Sequence, residues 1–354
     1  MRPIIAFLAL GLVLFIGLNR LSQAIPERGD QLATMRAALA RVPGRQAVSL
    51  GGSVGVDIDF EAMCLDAEHF DWPAQDLFEA AAFADLILDR PTPPGTFLLI
   101  AAPTAQTYDN GSPASPFAAH RRTMYRFLWR AGGMRLIGDD WRQAFVAIAA
   151  PSLRDDAWRP QLRFLLGLAG VPLRPADVPP TLEEMARRRI NPATSEARAV
   201  EAVGRRQEQL RRMAYYDPTI SERSTQVVLR VNRRIRAAGG RMVVVVPPMT
   251  PTLRRVTQRE LGPDTRDFER RLDQLEKDGA IVARHWDDPA YEGRYDLFRD
   301  NEHLNDVGAA VFSRQLAAEL SDQGVLPAAR DCPPAPHEGS PVARQGLPHP
   351  AKVR

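Results

Sequence analysis

Three residues in this sequence are of the types that a serine nucleophile, its base and an orienting carboxylate would require. Ser53 sits in Gly51-Gly52-Ser53-Val54-Gly55, which fits G-x-S-x-G. Glycine on both sides permits a tight turn that exposes the hydroxyl and lets backbone N–H groups face an oxyanion. Taken alone, such a Gly-Gly-Ser segment is more often only a turn. Far along the chain, Asp300-Asn301-Glu302-His303-Leu304-Asn305 puts a carboxylate and an imidazole in one short loop. A serine nucleophile needs a base within hydrogen-bond reach, and that base needs an acceptor to fix its tautomer. Ser53 as nucleophile, His303 as general base and Asp300 as orienting carboxylate meet both needs. The bland reading of the second segment is a solvated acidic loop with an incidental histidine.

Such residues act together only if the fold brings the two ends of the chain to one edge. Gln46–Leu50 reads as a short apolar strand running straight into the glycine turn. Further strands are expected at Thr96–Ala102, at Arg241–Val246 (RMVVVV, stopped by Pro247-Pro248) and at Ala280–Arg284. Helical spacing marks Asp30–Val42, Asp76–Asp89, Phe117–Ala131, Pro160–Gly167, Leu182–Met213, Ser224–Ala238, Thr265–Lys277 and Asp306–Leu320. Asn305 is placed to cap the last of these, whose apolar face carries Phe312, Leu316 and Leu320. Apolar strands alternating with helices predict an α/β fold with a mainly parallel sheet covered on both faces. Sites in such sheets form at the carboxyl ends of the strands.

The 354 residues carry a formal charge of +3, and the basic charge is almost all arginine, with Lys277 and Lys352 the only lysines. Acidic residues are interspersed with it and no aromatic-rich basic stripe appears, which argues against a nucleic-acid partner. Arg2 precedes an apolar run from Ile4 to Leu18, and Arg20 ends it. The run is short for a bilayer span and long for a signal core. Two readings stand: an uncleaved N-terminal anchor over 1–24, which is preferred, or a signal peptide cleaved after Ser22-Gln23-Ala24. Both place the rest of the chain outside the cytoplasm, although Arg20, Arg28 and Arg36 pull the other way by the positive-inside rule. A linker over 25–45 then precedes one domain over 46–325, with a helical insertion at about 150–220. Residues 326–354 form a Pro-rich tail without apolar periodicity, expected to be disordered. The exported location permits a disulfide between Cys64 and Cys332, but the place of Cys332 at the start of the tail argues against one. His120-Arg121-Arg122 reads as a solvated face, Asp287-Asp288 with Trp286 as loop, and His69 and His285 as histidines without partner spacing. Asp57 and Asp59 read as too exposed for metal ligands. No zinc, P-loop or dinucleotide motif is present, so no metal or cofactor is expected.

The order and content of the motifs resemble the SGNH (GDSL-like) hydrolases. Their first block carries a serine in a glycine-rich turn after the first strand. Their last is D-x-x-H, commonly followed by Leu-Asn and a Gly or Ala in the next helix. Asp300-x-x-His303-Leu304-Asn305-x-x-Gly308-Ala309 is similar to it. The short N-terminal run, long middle insertion, proline-stopped strand Val243–Pro248 and Ile58-Asp59 look more like the membrane-anchored envelope branch. That branch includes alginate-acetylation accessory and D-alanyl-transfer proteins. The resemblance covers loosely residues 45–321. It implies a flavodoxin-like three-layer sandwich and the Ser53, His303, Asp300 triad. It also implies an ester hydrolase or O-acyl(acetyl)transferase acting on an envelope polysaccharide or similar acyl ester. The alternative it leaves is a catalytically degenerate, membrane-anchored binding partner of a membrane acyltransferase. The sequence departs from the family in having Gly52 where Gly-Asp-Ser has Asp, and in lacking a recognisable Gly-x-Asn-Asp block. Gln106 or Asn110, just beyond the second expected strand, could supply the missing oxyanion donor; otherwise the hole rests on the N–H groups of Gly52 and Ser53.

Overall fold

A computed structural model of the chain describes residues 2–24, 31–149 and 182–326. Five strands form one all-parallel sheet in the order β2-β1-β3-β4-β5: β1 Ala47–Gly51, β2 Ala67–His69, β3 Thr96–Ile100, β4 Arg241–Val246 and β5 Ile281–Arg284. This is the strand order of flavodoxin-like sheets, with the switch of direction between β1 and β3. The described helices are α1 Arg2–Ala24, α2 Gln31–Arg41, α3 Leu77–Leu88, α4 Ala118–Ala131, α5 Trp141–Ala149, α6 Leu182–Ala186, α7 Pro192–Tyr216, α8 Ile220–Ala237, α9 Pro251–Glu260, α10 Gly262–Lys277 and α11 Asp306–Asp322. The chain divides into two compact units. The one built from Ala37–Ala118 and Pro180–Gln345 holds the whole sheet and both motif segments.

The strands are apolar on both sides because both faces are covered. β1 and β3 are buried at every position. Ala47, Leu98, Ile100, Val243, Val245 and Ala283 join one core with Phe298, Phe312 and Leu316 of the chain's last third. The alternate residues, among them Leu50, Phe97, Leu99 and Met242, face Ala80, Ala84, Val228 and Val231 of α3 and α8. α3 starts with a reciprocal cap: Asp76 accepts from the Glu79 N–H while the Glu79 carboxylate accepts from the Asp76 N–H.

The expected strands are present, and β2 is one more. The expected helix 182–213 is two, α6 and α7, because Asn191 caps a new start and Pro192 takes its first position. α9 is a helix where none was expected, opened by the Thr250 side chain accepting from the Leu253 N–H, with Pro251 next. The expected helix at 160–167 and the tail lie outside the described residues. Cys64 is disulfide-bonded; Cys332, the partner weighed for it in the sequence, lies outside the described residues. Among the described residues no helix is long and apolar enough to cross a membrane. In α1 the side chains of Arg2, Pro3, Ala6, Leu8 and 18–24 are outside that set.

Candidate active site

β1 ends in glycine for a steric reason. Gly51 has φ +151°, and a Cβ there would stand 2.3 Å from the carbonyl oxygen of Ile100 on the neighbouring strand. The chain then enters a single 3-10 turn, Ser53–Asp57, closed by the Gly55 N–H donating to the Gly52 carbonyl at 2.9 Å. Gly55 is also required, since a Cβ would fall 2.2 Å from Oδ1 of Asp71. Gly52 is not: its φ is −76°, and a Cβ would meet nothing nearer than 3.7 Å. Position 52 therefore has room for a side chain. No side chain caps this turn, and its first N–H groups, those of Ser53 and Val54, have no carbonyl within the turn to pair with.

The Asp300–His303 loop is built just before α11. The Arg299 N–H donates to the His303 carbonyl at 3.0 Å, and Phe298 and Leu304 bridge as antiparallel partners. Asn305 caps α11 by accepting from the Gly308 N–H at 3.0 Å, and its amide donates to the Asp296 carbonyl at 2.7 Å. A Cβ at Gly308 would lie 2.0 Å from the Leu297 carbonyl oxygen. The Leu-Asn-x-x-Gly pattern thus has a local cause: a cap, and a close approach that only glycine allows.

The two segments meet. Oγ of Ser53 is 2.8 Å from Nε2 of His303, across 250 positions of sequence. Nδ1 of His303 faces the Asp300 carboxylate at 2.9 and 3.0 Å. Asp300 is held in turn by the N–H groups of Glu302 and His303, both at 2.8 Å. The side chains of His303 and Asp300 are 17% and 50% exposed, so the relay opens to solvent. Burial pushes the His303 pKa down, but the hydrogen bond and charge of Asp300, with the charge of Asp57, outweigh it and the net is upward. Burial pushes Asp300 up, while its bonds to His303 and to the two N–H groups pull harder, and it titrates below the usual carboxylate range.

Neither proposed amide donor is hydrogen-bonded to a residue of the triad. Gln106 is buried and spends its amide on the Asp264 carbonyl at 3.0 Å. Asn110 donates to the Ala74 carbonyl at 2.8 Å and to Glu79 at 3.1 Å, and accepts from the Ser115 hydroxyl. Both amides are engaged by loop partners: Gln106 by one bond, Asn110 by both of its donor bonds. Other residues of the site carried no signal in the sequence. Asn301 accepts from the hydroxyls of Ser195 (2.6 Å) and Thr250 (3.0 Å), and Glu302 pairs with Arg206. α7 and the cap of α9 thus hold the Asp300–His303 loop from outside it. Asp57, expected to be exposed, is 3% exposed and lies beside the loop. His69 and His285 do have partners, in Asp71 at 3.0 Å and Asp288 at 3.3 Å. Among the described residues no group of three or more His, Cys, Asp or Glu side chains is arranged to hold a metal ion.

No protein-family model matches this chain, and no curated protein matches it.

Proposed function

We propose that the protein is a serine-dependent acyl-ester enzyme of SGNH type. The observation that carries this reading is the continuous relay Ser53 Oγ, His303 Nε2, His303 Nδ1, Asp300 carboxylate. Ser53 Oγ attacks the acyl carbonyl carbon and His303 Nε2 takes its proton. The tetrahedral oxyanion collapses, the ester's alkoxide leaves with the proton returned by Nε2, and an acyl-serine remains. Water resolves it in hydrolysis; a sugar hydroxyl resolves it in transfer, and His303 serves again as base. The N–H groups of Ser53 and Val54 are the donors at hand for the oxyanion. The resemblance to the envelope branch makes an O-acetylated polysaccharide the preferred ester for hydrolysis, and a free polysaccharide hydroxyl the preferred acceptor for transfer.

The same reading places the domain outside the cytoplasm, on an N-terminal anchor or after signal cleavage. Its supports are the disulfide-bonded Cys64 and the apolar side chains of α1, where Ile4, Ile5, Phe7, Leu10, Leu12 and Val13 are each more than half exposed. A second reading, a binding partner of a membrane acyltransferase, is favoured by one observation: Gln106 and Asn110 are committed elsewhere. Loss of one oxyanion donor typically costs about a hundred- to a thousand-fold in rate. Hydrolysis of p-nitrophenyl acetate, with an oligosaccharide added as competing acceptor, separates the two. Turnover that disappears in Ser53→Ala supports the enzyme; a folded wild-type protein without turnover supports the binding partner.

A further inference from the structure

Asp57 is the least expected group near the triad. It ends the same 3-10 turn that Ser53 begins. Its carboxylate reaches across to the other catalytic segment at both ends of the loop. Oδ1 pairs with Nη2 of Arg299 at 3.0 Å, and Oδ2 accepts from the Leu304 N–H at 3.0 Å, 247 positions away in sequence. Arg299 and Leu304 flank Asp300–His303 directly, and the loop is closed between them by the Arg299 N–H on the His303 carbonyl. The pair is desolvated, with side chains 4% exposed at Asp57 and 14% at Arg299.

A buried carboxylate in this position is costly. Burial pushes its pKa up to about 6, against the pull of His303, Arg299 and the Leu304 N–H and with the push of Asp300. An acid whose folded pKa is raised lends the fold stability that is full below its unfolded pKa and is lost as pH rises through about 6. At neutral pH the ionised form is therefore kept at the fold's expense. Uncharged side chains of similar size in place of both Asp57 and Arg299 would spare that cost, which is the pattern of a pair held for the site rather than for the fold.

Resting on the triad reading, we propose that Asp57 is a positioning residue. Its carboxylate clasps the nucleophile turn to the base-bearing loop and keeps a second negative charge behind the imidazole of His303. The clasp sets the distance from Ser53 to His303. The charge favours the imidazolium that forms when Ser53 gives up its proton. The charged groups facing Asp57 are His303, Arg299 and Asp300, so a change at Asp57 is read through them.

The test is Asp57→Asn, which keeps an acceptor for the Leu304 N–H and removes the charge. Two readouts are taken on the full chain. One is the pH dependence of labelling by a fluorophosphonate; the other is the His303 imidazole titration followed by NMR. The expected result is a downward shift of the His303 midpoint by roughly half a unit or more in both, with slower labelling on the alkaline plateau. A folded Asp57→Asn protein with an unmoved His303 midpoint overturns the proposal. If neither protein labels but the NMR midpoint shifts, Asp57 acts on His303 as proposed and it is the enzyme reading that fails. If Asp57→Asn does not fold, Asp57→Asn with Arg299→Met removes both charges together. Its midpoint is expected to shift down by a smaller amount, because Asp57 acts on His303 more strongly than Arg299 does. An unmoved midpoint there overturns the proposal equally.

Discussion

Two clusters of serine, histidine and aspartate lie on or just beyond the first strand, and they are built to opposite ends. In one, Ser53 and Asp300 take different nitrogens of His303. In the other, Ser49 and Asp71 crowd a single nitrogen of His69, at 3.1 and 3.0 Å, and the Ser49 hydroxyl donates directly to Asp71. A proton leaving Ser53 has a basic nitrogen to receive it and a carboxylate beyond to steady the charge. A proton on Ser49 is already spent on Asp71, and Ser49 itself is fully buried. The same three side chains make a relay in one place and a knot in the other. Residue types do not decide function; which atom faces which does.

The largest test of that contrast is at the serines. Ser53→Ala should abolish turnover and labelling while leaving the thermal midpoint nearly unchanged. Ser49→Ala should do the reverse, keeping labelling while lowering the unfolding free energy by about 1–3 kcal/mol as Asp71 loses its buried donor. Chemical denaturation beside the labelling assay reads both. The histidines come next. His303→Ala should slow labelling about a thousand-fold or more and His69→Ala by less than about tenfold, because only His303 sets one nitrogen on Ser53 and the other on a carboxylate. Equal losses in the two variants would erase the distinction.

Smaller is the pH effect. His303 must be neutral to accept the Ser53 proton, and its pKa lies above the ordinary 6.5. Labelling should therefore rise with pH through a midpoint above 6.5, and Asp300→Ala should move that midpoint down as well as slow the plateau. The smallest effects are at the glycines of the turn. Gly55→Ala drives a methyl group into the Asp71 carboxylate and should cost about 1–3 kcal/mol. Gly52→Ala has an ordinary φ and open space, and should be neutral or stabilise by about half a kcal/mol.

The triad was legible because each of its segments carries its own local reason. The glycine turn follows a fully apolar strand, and the D-x-x-H loop runs into a helix with an asparagine cap. The four apolar strands were legible because burial on both faces leaves an unbroken hydrophobic run. β2 was not, since Ala67–His69 is three residues with a single apolar one. α9 was not, because its run Arg254-Arg255…Gln258-Arg259-Glu260 looks like a solvated loop until Thr250 and Pro251 are recognised as its start. Asp57 was misjudged for a more general reason. Its neighbours in sequence suggest a polar loop, whereas its burial comes from Arg299 and Leu304, which no local pattern reveals. Gln106 and Asn110 show the converse: the amides are visible in the sequence, but the tertiary partners that engage them are not.

The measurement that bears most directly on the relay is the site of covalent capture. The full chain is treated with a fluorophosphonate on the alkaline plateau of its own pH profile, its intact mass taken, and the adduct mapped by peptide sequencing. A single adduct on Ser53, absent in Ser53→Ala and strongly reduced in His303→Ala, is the predicted result. An adduct on any other serine, or a folded protein that takes up no probe, would contradict the assignment of Ser53 as an activated nucleophile.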